Sequence, residues 1–83
     1  MRYATIVEKT PSNYSAYVPD LPGCIATGTS IEEVLGQIQS AISFHLEGLQ
    51  LEGLPIPEPT TVCEYVEAAL IVDPAVEGSV KTA

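Results

Sequence analysis

Positive charge is almost absent from this chain. Among its 83 residues only Arg2, Lys9 and Lys81 are basic, against eleven carboxylates, for a formal net charge of −8 at pH 7. Nucleic-acid binding depends on Lys and Arg meeting phosphates, so three scattered cations argue against it. Cysteine is scarce too. Cys24 and Cys63 are the only two, no CxxC is present, and together with His45 they match no compact zinc-ligand spacing. No stretch approaches the roughly 20 apolar residues that span a bilayer. The N-terminus lacks the apolar core of a signal peptide. No GxGxxG or GK[ST] glycine loop for a phosphate occurs. These absences leave an acidic protein without cofactor or metal, expected in the cytoplasm with its two thiols reduced. An acidic excess of this size suits solubility and suits a basic partner.

What is present is enough for one small domain. A chain of this length hides only about 60% of its unfolded surface, so its core is marginal and self-association would help. Apolar residues nevertheless make up 46% of the sequence. Residues 2–8 are rich in β-branched and aromatic types and read as a strand. Lys9-Thr10-Pro11-Ser12-Asn13 is a turn cluster, and Tyr14 to Val18 reads as a second strand closing a hairpin. Pro19-Asp20-Leu21-Pro22-Gly23 forbids regular structure, because proline lacks an N–H and restricts the residue before it. A short third strand is expected from Cys24 to Gly28, with the flanking glycines supplying backbone freedom.

A helix starts after Ser30. Ser30 caps it, Glu33 three residues on completes a capping box, and Glu32 and Glu33 meet the positive end of the helix dipole. Ile31, Val34, Leu35, Ile38, Ala41, Ile42, Leu46 and Leu49 recur at spacings of three and four and form one buried stripe. Gly53 fits the position just past the helix end, and Pro55 stops any continuation. The alternating prolines of residues 54–59 make an extended connector. Residues 64–72 then read as a fourth strand that would cover a bare sheet edge. The resulting class is α+β, in the order β-β-β-α-β: an antiparallel three-stranded meander, a fourth strand parallel to the first at the edge, and one helix on one face. The domain is expected to occupy residues 1–72, with residues 73–83 as a flexible tail.

Few constellations carry chemistry. Asp20, Glu32 and Glu33 would form a metal-dependent nuclease site if they converged beyond the third strand. Such a site also needs a carboxylate at the centre of the first strand, where Tyr3 to Val7 supply none, and capping already accounts for the two glutamates. His45 lies beside the apolar stripe and reads as a packed core residue. Gly36 and Gly48 inside the helix permit close approach of a neighbour. Phe44 and Leu51 stand off the main stripe and mark a candidate interface for a homo-oligomer, a dimer or a tetramer.

The order of these pieces resembles the HicB-like antitoxin family. The resemblance runs from Tyr3 to about Ala69. Its parts are the strand ending Val7-Glu8-Lys9, the run from Tyr14 through Tyr17-Val18-Pro19-Asp20-Leu21-Pro22-Gly23-Cys24, and the helix start Gly28-Thr29-Ser30-Ile31-Glu32-Glu33-Val34. Ala41-Ile42, His45 to Leu49, Pro55 to Pro59 and Glu64-Tyr65-Val66-Glu67 complete it. The resemblance implies a partial ribonuclease H-like fold that is not catalytic. It implies a small basic HicA-like mRNA interferase toxin as partner, bound and neutralised by this domain. Glu8, Asp20, Glu32 and Glu33 are the expected partner-binding residues. Many such antitoxins continue into a DNA-binding domain. Only some eleven residues follow the last expected strand here, so a stand-alone short member without direct DNA binding is expected. An orphan oligomeric binding domain and a residual metal-dependent nuclease are the alternatives.

Overall fold

The computed structural model describes residues 1–71. Three strands, β1 (Ile6–Lys9), β2 (Tyr14–Tyr17) and β3 (Ile25–Gly28), form an antiparallel sheet in the order β1-β2-β3, and one 21-residue helix, α1 (Ile31–Leu51), follows. Ile6 pairs with Tyr17 and Glu8 with Ser15, while Tyr17 pairs with Ile25 and Ser15 with Thr27. The hairpin between β1 and β2 turns at residues 10–13, where the Thr10 amide donates to the Asn13 carbonyl at 2.7 Å and the Asn13 amide donates to the Thr10 hydroxyl at 3.0 Å. A short polar side chain that bonds its own turn is the usual reason for Thr and Asn in such positions.

The proline-rich corner is two tight turns in succession. The Leu21 amide donates to the Val18 carbonyl and the Cys24 amide to the Leu21 carbonyl, each at 3.0 Å. Pro19 and Pro22 each take the second place of a turn, where a fixed φ is an advantage. Gly23 follows Pro22 with φ +83°, which makes the second turn type II and requires glycine. Between the turns, Leu21 drops inward and is fully buried. It joins Ala16, Val18, Cys24, Val34 and Ile38 in the core, with Tyr3, Val7, Tyr14, Ala26, Ala41, Ile42 and Leu46 packed around them. The corner thus delivers a core side chain, and each large residue of this kind stabilises the fold by about 1.5–3 kcal/mol.

Both ends of α1 are capped as the sequence indicates. The Glu33 amide donates to Ser30 Oγ at 3.0 Å, and the Glu33 carboxylate reaches back to the Thr29 amide at 2.9 Å. At the other end the Gly53 amide donates to the Gln50 carbonyl and the Leu54 amide to the Leu49 carbonyl, with Gly53 at φ +70°. That pair of bonds is a Schellman motif. Along the apolar stripe only Val34 and Ile38 are buried, and Ile31 and Leu35 remain exposed. A sheet of three four-residue strands is too narrow to cover the whole stripe.

Three expectations need correction. The first strand begins at Ile6 rather than Arg2, and Tyr3 instead packs against the core. Gly28 does not serve backbone freedom: its φ is not positive, and a Cβ there would meet the Val34 amide nitrogen at 2.7 Å. Glycine is needed because α1 starts directly against it. The fourth strand is not formed among the described residues. Residues 64–71 carry no strand and are exposed, and the sheet has three members. The last residue of that expected strand and the expected tail, 73–83, lie outside the described residues.

Candidate functional site

Among the described residues one helix covers one face of the sheet and no other element packs on the opposite face. Side chains alternate across a strand. Val7, Ala16 and Ala26, paired in one row, lie on the α1 side, with Ala16 buried. The rows on either side of it therefore point away from α1. One is Ile6, Tyr17 and Ile25, with Tyr17 and Ile25 exposed, and the other is Glu8, Ser15 and Thr27. An apolar row beside a polar one, centred on Tyr17, has the make-up of a protein-binding surface. The sequence reading missed Tyr17 and Ile25. The signal that would have found them is the alternation of β2 together with the supply of only one helix.

The four expected partner-binding carboxylates do not converge. Glu8 pairs in the same rows as Ser15 and Thr27, at the end of the sheet where β3 leads into α1. Glu32 and Glu33 stand in the first turn of α1 at that same end and line a shallow hollow of about 480 Å³ with Ser30, Gly36, Gln37 and Ser40. Asp20 lies at the opposite end, beyond the far end of β2 and before β3 begins. Four residues of strand, roughly 10 Å, separate the two groups. A shared nuclease site of Asp20, Glu32 and Glu33 is therefore not assembled. Glu33 is engaged in capping, its second oxygen accepting from the Thr29 hydroxyl at 3.2 Å.

Asp20 has its own task. Its carboxylate accepts bonds from the amides of Thr60 and Thr61, both at 3.0 Å, and from their hydroxyls at 3.1 and 2.8 Å. These bonds, the Thr61 amide foremost, hold the Asp20 carboxyl below its ordinary pKa. Nearby, the Tyr3 hydroxyl donates to the Pro57 carbonyl at 2.6 Å. Desolvation, with help from Glu58 and Asp20, raises the Tyr3 pKa, so the phenol stays a donor. The connector is thus tied down at two points.

Phe44 and Leu51 are 78% and 81% exposed on α1. Phe44 borders a groove of about 380 Å³ between α1 and the outer edge of the sheet, with Ala41, His45, Gly48 and Leu49 on the helix side and the edge-strand residue Ile25 at its rim. A Cβ at Gly36 or Gly48 would meet nothing within 4 Å, so neither glycine serves close approach among the described residues. His45 is half-buried at this groove. Burial pushes the Cys24 thiol pKa up, and Cys63 is exposed. Among the described residues no cluster of three His, Cys, Asp or Glu is placed to hold a metal ion, and no helix is long and apolar enough to cross a membrane.

Known proteins resemble this chain in sequence, and one solved chain resembles it in fold. A chain of the solved HicA3 and HicB3 toxin–antitoxin complex superimposes with a TM-score of 0.62 at 30% identity, over 72% of this chain and 70% of that one. An uncharacterized 14.9 kDa protein from the rep-hol intergenic region of Haemophilus phage HP1 is 33% identical over 66 residues, 80% of this chain. The match spans about half, 50%, of that phage protein's length. A UPF0150 protein of Helicobacter pylori is 41% identical over 49 residues, covering 59% of this chain and 68% of its own. The UPF0150 protein Ta0767 of Thermoplasma acidophilum is 36% identical over 58 residues, 69% of this chain and 84% of its own. The model of the HicB-like antitoxins of bacterial toxin–antitoxin systems matches residues 3–79. With that match running almost end to end, the chain belongs to the HicB-like antitoxin family.

Proposed function

We propose that this protein is the antitoxin of a toxin–antitoxin pair and works in the cytoplasm by binding, not by catalysis. Its partner is a small basic HicA-like ribonuclease toxin, neutralised when its RNA-binding and catalytic surface is covered. The observation that carries this reading is the likeness to a chain of a solved HicA3 and HicB3 complex, held across most of the domain. The charge supports it: eleven carboxylates against three cations draw a basic partner in and repel RNA.

The binding surface is the open sheet face. Tyr17, Ile6 and Ile25 form its apolar centre, and Glu8, with Glu32 and Glu33 at the same end, forms an acidic border. Asp20 contributes through the connector it holds. Self-association through Phe44 and Leu51 belongs to the same reading, since both are large, apolar and exposed two helical turns apart. The described residues hold only Arg2 and Lys9 as cations, so DNA contact by this domain is not part of the proposal.

The test is co-expression with any small HicA-like protein encoded beside it. A stoichiometric complex that abolishes RNA cleavage is expected. Failure to bind, with the toxin still active in an equimolar mixture, overturns the proposal.

A further inference from the structure

Among the described residues the chain leaves one edge of β1 and the segment 62–71 without a pairing partner. β1 is an outer member of the sheet, so among the described residues one side of its backbone has no strand beside it. Residues 62–71 follow the Asp20 anchor and take part in no hydrogen bond among the described residues. They include Val62, Tyr65, Val66, Leu70 and Ile71, all exposed, with Tyr65 at 104%. β-branched and aromatic residues with this exposure are costly in water and have the composition of a strand.

The arm is not taken up by its own β1. Thr5, Ile6 and Val7 line one open hollow of about 420 Å³ together with residues 61–65, and no strand pairing joins the two segments. Its base is meanwhile fixed, by Asp20 at Thr60 and Thr61 and by Tyr3 at Pro57. A second copy presents the same edge without that tether. The charges fit as well. Arg2 and Lys9, two of the three cations in the chain, bracket β1, and the arm carries Glu64 and Glu67. A strand of ten residues reaches roughly 33 Å, more than the length of β1. Two such arms exchanged about a twofold axis would cover on the order of the 1,200–2,000 Å² that a stable dimer requires.

We infer that residues 62–71 of one copy dock along the β1 edge of a second copy, and that the reciprocal contact closes a strand-exchanged dimer. Each protomer then supplies the fourth strand of the other, and the β1 edge of both copies is covered. The inference does not depend on the toxin, and its test does not use one.

Two differently tagged chains are co-expressed, one unaltered, the other carrying Thr5→Cys with Cys63→Ser. A short bismaleimide crosslinker is added, and the linked peptides are read by mass spectrometry. The expected product joins the introduced thiol of one tag to Cys63 of the other. A chain carrying Thr5→Cys alone, with its own Cys63, is the control. Closure of the link only within that chain would show that the arm belongs to its own β1 and overturn the inference. A dimer with no cross-tag link would overturn it too, and would assign the contact to the Phe44 face. The unaltered chain gives a check that needs no variant. Amides of residues 62–71 should exchange at least about tenfold slower than an unstructured peptide, in a species of dimer mass. An unprotected arm, or a protected arm in a monomer, contradicts the exchange.

Discussion

Asp20 and Thr61 are joined twice across 41 positions of sequence: the Thr61 amide donates to Oδ2 at 3.0 Å and its hydroxyl to Oδ1 at 2.8 Å. Thr60 repeats the pattern. Only an ionised carboxylate offers two oxygens that accept without donating. The two tight turns around Asp20 aim it, and the same turns bury Leu21. One short corner therefore fills the core on its inner side and fixes the path of the C-terminal connector on its outer side.

Asp20→Asn keeps the shape and replaces one acceptor oxygen by a donor, so it should loosen the connector without unfolding the domain. Hydrogen exchange at the Thr60 and Thr61 amides is the measurement, and faster exchange at those amides alone is the expected result. Acid should act in the same way. The folded-state pKa of Asp20 is below its ordinary value of 3.8, so the anchor is fully present above that value and is lost as pH falls through the lowered one. Glu58 and Tyr3 face the same site, and Tyr3 is uncharged throughout this range. Exchange at Thr60 and Thr61 that stays unchanged, after correction for intrinsic rates, as pH falls from 6 to well below the ordinary 3.8 and through complete carboxyl protonation would remove the anchor from the account.

Glycines at 28 and 36 should respond in opposite directions. A methyl group at Gly28 would press on the Val34 backbone at 2.7 Å. Backbone cannot swing aside as a side-chain end can, so Gly28→Ala should destabilise by about 1–3 kcal/mol. Gly36 lies inside α1 with nothing within 4 Å of the added carbon. Gly36→Ala should therefore stabilise by about 0.5–1 kcal/mol through helix propensity. Urea denaturation of the two variants beside the unaltered chain decides the matter, and equal midpoints would contradict both assignments.

The two cysteines should differ sharply towards a thiol reagent. Cys24 is buried at 4% exposure and burial raises its pKa, whereas Cys63 is exposed. The thiolate is the reactive form. Native protein should react once and quickly, at Cys63, and denatured protein twice. Rapid labelling of Cys24 in the native state would show that the corner opens and that Leu21 beside it is not the fixed plug described above.

The meander, the caps and the corner were legible because each rests on local chemistry. Ser30 and Glu33 cap α1 through neighbours three and four positions away, and proline and glycine set the turns whatever surrounds them. The fate of residues 64–71 was not legible in this way. Their composition identifies a strand, but pairing depends on where the connector is anchored, and that anchor spans 41 positions. The candidate site divides along the same line. The acidic balance and the resemblance pointed to an acidic binding domain, with Glu8, Asp20, Glu32 and Glu33 as its expected contact carboxylates. It did not reveal Tyr17 and Ile25, since which side of β2 is open depends on the packing of α1. Asp20 was read from its charge, and its threonine partners were invisible until the chain folded back.

The final prediction separates the two parts of the proposed toxin surface. Tyr17 is 40% exposed at the centre of the open face, flanked by Ile6 and Ile25. Central aromatic side chains dominate interface energetics, and their loss is felt in dissociation. Tyr17→Ala should raise the Kd for the toxin at least about tenfold, a loss of about 1.4 kcal/mol or more, mainly through a faster off-rate. Border charges act earlier, on the approach. Glu8→Lys combined with Glu32→Lys should slow association and flatten its salt dependence, with little change in the off-rate. Surface plasmon resonance at low and high salt reads both effects, and circular dichroism confirms that each variant remains folded. If Tyr17→Ala leaves the off-rate unchanged while the variant stays folded, the toxin does not sit on the open face. A charge variant that associates as fast as the unaltered chain at low salt would show that acidity does not guide the encounter.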